Sequence, residues 1–468
     1  MSQVADNTSD VSQGVHPVSI IDQLSSRVRG QVLRPRDDGY HEARRIWNAM
    51  IDRRPAAILR CVEVADVIEA VSFARENGLL LSVRGGGHNV AGNAVCDGGL
   101  MIDLSLMRNV QVDEPRRIAQ AQGGATWRDF DNSAQTFGLG TTGGVIPATG
   151  IAGLTLGGGL GWLMRKYGLS CDNLLAAQVV MADGRCLSAD ADNNPDLFWG
   201  LRGGGGNFGI VTSLQYQLHE VGNVVGGMVA HALDHAAVVL RFARDYLKQA
   251  PNELGAMAVF VTGPDGSKAL AIMVCWCGTP AEGESVLQPL RTFGRPVADT
   301  ISTMPYDQFQ LLLESGFPPG LQNYWKSNFL DELTDDAIDV LVEGFEQVPS
   351  PTSAMAIELL GGAVAKVAKE ATAFSHRNAC FNLLIVSSWP SVNDTELNVR
   401  WTRRLWEEMQ PYSSQQVYVN YLGQVADEGR ERVHAAYGDT NYKRLVALKR
   451  KFDPENIFRT NQNISPKQ

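Results

Sequence analysis

The sequence predicts an α+β protein in which one domain is interrupted by another, and three observations carry that expectation. At 468 residues the chain is well past the ~250–300 at which a single core stops growing. Strand-sized apolar runs alternate with helical stretches along its whole length. Glycine clusters crowd the first half and stop near Val221, and a basic helix near the end, Tyr442–Phe452, closes at Asp453-Pro454 and would return the chain to the first domain. The expected boundaries are 15–220 and 416–468 for the two parts of the first domain and 221–415 for the second.

In chain order, residues 56–63 form an apolar run, and Val64, Val67, Ile68 and Val71 then share one helical face before a stop at Gly78. The next strand, Leu79–Val83, runs directly into Arg84-Gly85-Gly86-Gly87-His88-Asn89, which puts glycines at a strand end where backbone can approach a ligand closely. Strands follow at Leu100–Leu104, Val110–Val112 and Ile118–Ala121. From Gly138 to Gly161 glycine is too dense for an ordinary helix or strand. Leu174–Met181, an Ala-Asp-Gly turn and Cys186–Leu187 form a hairpin, and Arg202–Gly209 is a third glycine run feeding the strand Ile210–Leu218. Beyond Val221, strands at Met257–Val261, Leu270–Cys275, Met355–Leu360 and Phe381–Val386 alternate with helices at Ala236–Leu247 and Glu396–Met409. Val417–Leu422 is expected as a further strand.

Composition excludes several classes. Hydrophobic residues at 44% and charged residues at 20% are ordinary globular usage, not disorder. A net charge of −10 leaves no basic stripe for a phosphate backbone, so no nucleic-acid partner is expected. Met1–Gly14 is polar, without Lys, Arg or an apolar segment, so no secretory signal is read there. No apolar run approaches the ~18 residues of a membrane span. The expectation is a cytoplasmic protein without a membrane partner. The seven cysteines form no C-x-x-C pair and read as reduced core thiols. Cys275-Trp276-Cys277 could hold a metal, but it lies in a buried strand pattern, so no metal site is expected.

Three glycine-rich turns at strand ends can present rows of backbone N–H groups to an anion, as a pyrophosphate requires. That points to a dinucleotide. No cluster sits in a strand, G-x-G-x-x-G, helix unit with an acidic residue ~20 positions on, so the source is not a Rossmann fingerprint.

Arg84-Gly-Gly-Gly-His88-Asn89, the Gly143–Gly161 segment, Tyr167-Gly-Leu-Ser-Cys171-Asp-Asn173 and Asp196–Ile210 together closely resemble the berberine-bridge-enzyme-like branch of the vanillyl-alcohol-oxidase flavoprotein superfamily. The C-terminal Tyr418-Val-Asn420-Tyr421 and Asp453–Ile464 resemble it too, in the same order and over almost the whole chain. The resemblance implies a bipartite PCMH-type FAD-binding domain with an inserted α+β substrate domain, an antiparallel sheet covered by helices. It assigns FAD contacts to Arg84, Gly85, Gly86, Gly87, His88, Asn89, Gly143, Gly144, Gly150, Gly153, Gly157, Gly158, Asn173, Gly209, Ile210, Val211 and Asn461. It also implies that His88 bonds to the flavin 8α-methyl carbon, a link that raises the reduction potential of the cofactor. Many members add a cysteinyl link just before the proline of the second glycine segment. Ile146 stands there, so single attachment is expected, as in the 6-hydroxynicotine-oxidase-like members, and Cys171 reads as a packing or pocket thiol.

By the same resemblance Tyr421 is the catalytic base or proton bridge near flavin N5. A tyrosine whose pKa is ordinarily ~10 needs that value lowered, or its proton relayed, and a nearby cation would help. Leu160 occupies the place of an assisting tyrosine of some relatives. Glu358 and His376 are the substrate-contact candidates of the inserted domain. The implied activity is hydride transfer from a small organic alcohol, phenol or amine to FAD, with dioxygen as electron acceptor giving hydrogen peroxide. An oxidative cyclase or tailoring enzyme, a dehydrogenase using another acceptor and a flavin-binding protein without turnover are the alternatives.

Overall fold

The computed structural model describes residues 17–467. The polar stretch Met1–Gly14, and with it the reading of no secretory signal, lies outside the described residues. Three large sheets organise the chain. In the first, Gln31–Leu33 pairs antiparallel with Ala57–Arg60, which runs parallel to Leu100–Asp103, itself parallel to Leu81–Arg84. The helix Val64–Glu76 buries Val67, Ala70, Val71, Phe73 and Ala74 against it and ends just before Gly78, whose φ of +64° is cheap only for glycine. The second is an antiparallel sheet in the order Val110–Asp113, Ile118–Gln122, Ile210–Gln217, Leu174–Val180, Cys186–Asp190.

The third sheet has eight antiparallel strands. Its central order is Asn223–Ala232, Lys268–Trp276, Leu254–Thr262, Ala354–Leu359, Phe381–Trp389, Gln322–Leu330. Side chains alternate with period two. Ala256, Ala258, Phe260, Ile357, Leu383 and Ile385 face the helices Ala236–Leu247, Pro280–Thr292, Asp335–Glu346 and Thr395–Glu408. Met257, Val259, Ala354, Ala356, Leu384 and Val386 face the other way. The helix Asp439–Phe452 brings Tyr442, Leu445 and Leu448 into one core with Trp127, Phe130, Leu197 and Leu214, so the chain's end packs with its first half.

Three expectations are corrected. Val417–Leu422 is not a strand but a segment closing in a 3₁₀ turn, Val419–Tyr421. Its polar groups bind glycine-segment backbone instead of a ladder: the amides of Gly159 and Leu160 donate to Tyr418 Oη at 2.9 and 3.4 Å, and Asn420 Nδ2 donates to Leu154 O at 3.0 Å. The second glycine segment does hold a short helix, Ile151–Leu156, despite Gly153. Cys186 and Cys380 are exposed, although all seven thiols are free and Cys275 and Cys277 are buried as expected. Among the described residues no helix is long and apolar enough to cross a membrane, and no group of His, Cys, Asp and Glu could hold a metal.

Candidate active site

A cavity of about 320 Å³ opens between the glycine turns and the uncovered face of the eight-stranded sheet. One wall is backbone: Gly85–Asn89 after the strand Leu81–Arg84, Gly144–Ile146 with Gly150 and Gly153, then Gly205–Asn207 with Gly209. Gly86 and Gly150 meet backbone to backbone, for a Cβ on either would come within 2.4 Å of the other's nitrogen. Among the described residues the amides of Gly85, Gly86, Gly87 and His88 find no backbone acceptor. Gly153 and Gly206 have nothing within 4 Å of where a Cβ would stand, so their backbone faces open space. The lining contains no Lys or Arg, so an anion there would be met by backbone N–H groups together with neutral side chains such as Asn89, Asn93 and Thr149.

His88 lies at the end of this wall. Its Nε2 is buried and has no hydrogen-bond partner among the described residues. Burial pushes the imidazole down to about 4, so the ring is neutral at ordinary pH and carries a free nucleophilic lone pair or an unsatisfied N–H. The ring is held by Trp47, whose indole stacks on it at 4.5 Å and 17°, while the Trp47 amide donates to Gly87 O at 3.1 Å and Nε1 to Phe317 O at 3.1 Å.

On the opposite wall Tyr421 Oη donates to Glu358 Oε1 at 2.9 Å, and Asn382 Nδ2 donates to Glu358 Oε2 at 2.7 Å. Glu358 is 5% exposed, and burial pushes its carboxyl up to about 7. Tyr421 is raised far above the usual phenol value, by burial first and then by the Glu358 charge. The sequence reading asked for a cation beside Tyr421; the structure puts a carboxylate there, which makes a free phenolate less accessible. The two groups act as one unit, Tyr421 donating and Glu358 able to take a proton near neutrality.

Of the residues singled out from the sequence, Gly85, Gly86, Gly87, His88, Asn89, Gly144, Gly150, Gly153, Gly209, Ile210, Val211, Glu358, Tyr421 and Asn461 line the cavity, as do Ile146 and Leu160. The others lie behind it. Arg84 Nη1 donates to Ala43 O at 2.7 Å. A Cβ on Gly143, Gly157 or Gly158 would strike Trp127, Asn420 or Phe374, so these glycines serve close packing. Asn173 Nδ2 donates to Tyr167 O and Leu169 O at 3.0 and 2.9 Å. His376 is not a cavity residue: its Nε2 lies 2.9 Å from both Ala435 O and Ala436 O. Cys171 is fully buried among Leu160, Leu169 and Phe329, a packing thiol. Sequence reasoning missed Trp47 and Asn382, neither of which belongs to a local pattern. The ring of Trp325 lies edge-on to both Trp47 and Tyr421 at 5.5 and 5.8 Å.

These features fit FAD. Unpaired glycine amides suit a pyrophosphate, and the orphaned Nε2 of His88 suits a covalent partner. Comparison with known proteins agrees. The family profile "FAD binding domain" matches residues 55–190, and "Berberine and berberine like" matches residues 417–465. An FAD-linked oxidoreductase of Dictyostelium discoideum is 32% identical over 454 residues, 96% of this chain and 97% of that protein. (R)-6-hydroxynicotine oxidase of Paenarthrobacter nicotinovorans is 33% identical over 450 residues, 94% of this chain and 97% of that one. The solved structure of 6-hydroxy-D-nicotine oxidase from Arthrobacter nicotinovorans superposes with a TM-score of 0.86 at 30% identity, covering 94% and 98% of the two chains. Likeness of that extent, joined to a cradle built for a dinucleotide, reaches beyond a shared architecture: the chain belongs to the berberine-bridge-enzyme-like family of FAD-linked oxidoreductases.

Proposed function

We propose that this oxidoreductase removes a hydride from a C–H bond of a small organic alcohol, phenol or amine, with Tyr421 and Glu358 taking the proton of the neighbouring O–H or N–H. FAD, when bound, supplies the hydride acceptor. The observation that carries the reading is the Tyr421–Glu358 hydrogen bond on the wall facing the glycine cradle. Tyr421 is too weak an acid to wait as phenolate, whereas Glu358, pushed up to about 7, is partly ionised at neutral pH. A substrate proton therefore moves to the tyrosine oxygen as the tyrosine proton moves to Glu358. The apolar lining from Met257, Val259, Trp325, Leu384 and Val386 keeps water from competing for that carboxylate.

The proposal includes attachment through Nε2 of His88 and no cysteinyl link, since Ile146 occupies the alternative position. It also includes division of the chain into a two-part FAD domain, 15–220 and 416–468, around a substrate domain, 221–415, and a cytoplasmic setting in keeping with seven free thiols. Dioxygen is the proposed electron acceptor, giving hydrogen peroxide.

Acid precipitation of the purified protein tests the attachment: a yellow pellet that is colourless in His88→Ala is the expected result, and colour left in the supernatant of the wild type would refute it. Anaerobic mixing with alcohols, phenols and amines should bleach the flavin. Air should then restore the colour with one peroxide per turnover, whereas bleaching that persists in air would replace the oxidase reading by a dehydrogenase.

A further inference from the structure

A second buried carboxyl group stands outside the cavity, where the helix Trp127–Gln135 meets the helix Tyr306–Gln310. Asp131 on the first and Gln310 on the second are each only 2% exposed. Gln310 Nε2 gives one hydrogen to Asp131 Oδ2 and the other to Gly144 O, each at 3.1 Å, which fixes the orientation of the amide. The remaining oxygens of the two planar groups, Asp131 Oδ1 and Gln310 Oε1, are both buried and have no partner among the described residues. Two leftover acceptors in one pair of groups lack a single donor between them. A proton on Oδ1 supplies it, since an acid and a primary amide close into a ring of two hydrogen bonds, N–H to O and O–H to O. No Lys, Arg or His bears on Asp131; burial, with the Asp307 charge adding to it, outweighs the Gln310 hydrogen bond and pushes the carboxyl up to about 7.

We propose that Asp131 is a neutral acid that donates from Oδ1 to Gln310 Oε1, and that this acid–amide pair is a proton-dependent clasp on residues 306–320, a strap at the rim of the cavity. The strap passes from its helix into a 3₁₀ stretch, Leu311–Gly316, and reaches Gly320, whose φ is +93°. Its half-buried Leu313 and Phe317 line the cavity, while Leu312, Ser315 and residues 318–320 are exposed. Two other ties hold it: Arg128 pairs with Glu314 near the surface, and Trp47 Nε1 donates to Phe317 O at 3.1 Å. An exposed ion pair holds little, so the buried pair is the stronger fastening. Because the same Gln310 amide also holds Gly144 O, the clasp fixes the strap against the second glycine turn, and both border the cavity. When Asp131 gives its proton to solvent, its hydrogen bond to Oε1 is lost and that oxygen is left beside a carboxylate. The strap is then released and the cavity opens at its rim.

The surroundings leave Asp131 as the group that titrates here. On the strap, Tyr306 Oη is buried without a partner and is held far above the usual phenol value, by burial first and then by the Asp131 charge. Asp307 adds negative charge, and Glu314 is occupied by Arg128. On the Asp131 helix itself, Asp129 caps the first turn through the Thr126 amide and hydroxyl. The strand Val110–Asp113, packed on that helix, brings only the exposed Asp113, 3.9 Å from Arg116, and Leu139–Gly140 brings no titratable group. Tyr216, whose ring touches Trp127 and Phe130, has its hydroxyl 2.7 Å from Thr155 Oγ1. The folded value of Asp131 lies above the unfolded ~3.9, so the stability carried by the neutral acid is whole at low pH and is lost as pH rises through about 7.

The test is hydrogen–deuterium exchange of the holoenzyme, read for the peptide 306–320 and divided by the exchange of the helix Asp335–Glu346 at the same pH. Between pH 6 and pH 8 the ratio should rise ~10-fold, as the loss of one buried hydrogen bond requires. Asp131→Asn should abolish the rise and keep the strap protected at both values, because its Nδ2 donates to Gln310 Oε1 at every pH. Asp131→Leu should leave the strap unprotected at both. The infrared carbonyl band of a protonated carboxyl group, present at pH 6 and lost at pH 8, should persist in Glu358→Gln and weaken in Asp131→Asn, which separates the two buried acids. A wild-type ratio that does not change with pH overturns the inference, whether or not the Asp131 variants fold. So does a rise that survives in Asp131→Asn, or an infrared band that vanishes entirely in Glu358→Gln.

Discussion

Glu358 illustrates how one residue couples stability to chemistry. Its unfolded-state pKa is ~4.3, and burial raises the folded value to about 7. Folding therefore favours the neutral acid. The associated stability is fully present below the unfolded value and is lost as pH rises towards the folded one. The loss is complete above about 7 and amounts to ~3–4 kcal/mol. Glu358→Gln should accordingly raise the thermal midpoint at pH 8, by more than at pH 5, while depressing turnover; calorimetry at the two pH values checks the sign. Tyr421→Phe acts in the other direction on the same carboxylate. Removing the Tyr421 hydroxyl withdraws one of the two hydrogen bonds that hold the Glu358 value down. The rate of anaerobic flavin reduction, expected to rise with pH to a plateau with its midpoint near 7 in the wild type, should fall ~10²–10⁴-fold and shift its midpoint to higher pH. A tyrosine that only bonded Glu358 would shift the midpoint in the same way but leave the plateau rate at high pH nearly unchanged.

At the scale of elements, the two glycine turns that meet at Gly86 and Gly150 are the feature least tolerant of change. An added Cβ meets a backbone nitrogen at 2.4 Å for Gly86 and 2.3 Å for Gly150, and backbone cannot swing aside as a side chain can. Gly86→Ala should cost ~1–3 kcal/mol or more from overpacking and lose flavin with it. Gly153→Ala separates the two effects. Its Cβ meets nothing within 4 Å, and alanine suits the helix Ile151–Leu156, so apoprotein stability should hold while FAD loading falls. Thermal denaturation alongside the flavin-to-protein absorbance ratio reads both. These turns were legible in the sequence because glycine runs are local signals, and the strands that abut them were legible because each carries an apolar face, Leu81 and Val83 in one and Ile210, Leu214 and Tyr216 in the other. The strand Gln322–Leu330 was not recognised as one, since it buries Asn323, Lys326, Ser327 and Asn328, which no apolar periodicity reveals. Three of them are satisfied from afar: Lys326 Nζ by Asp427 at 2.8 Å and Glu428 at 3.1 Å, Ser327 by Asn382, and Asn328 by Ser413 and Arg432. The Tyr421–Glu358 bond was hidden for the same reason: its partners are 63 positions apart, and the tyrosine lies on a turn that β-propensity mistook for a strand.

For the whole molecule, the question is what joins the end of the chain to the cradle formed by its first half. Lys449 is wholly buried and donates at 2.7 Å to each of three oxygens: Asn207 O in the third glycine turn, Phe458 O in the C-terminal segment, and Asp453 Oδ2. Asp453 in turn accepts the amides of Ile457 and Phe458 at 2.8 and 2.9 Å. Asn207 and Phe458 both line the cavity, so this one ammonium fixes two of its walls relative to each other. Lys449→Met leaves the Asp453 charge buried without its cation, which costs ~3–5 kcal/mol. Adding Asp453→Asn removes that charge and should recover part of the loss, a non-additivity that direct contact requires. The expected outcome is a lower thermal midpoint and a reduced fraction of acid-precipitable flavin in Lys449→Met, both partly restored in the double variant. Two losses that simply add would mean that the apolar core shared by Tyr442, Leu445 and Leu448 with Trp127 and Leu214 holds the ends together without the clamp.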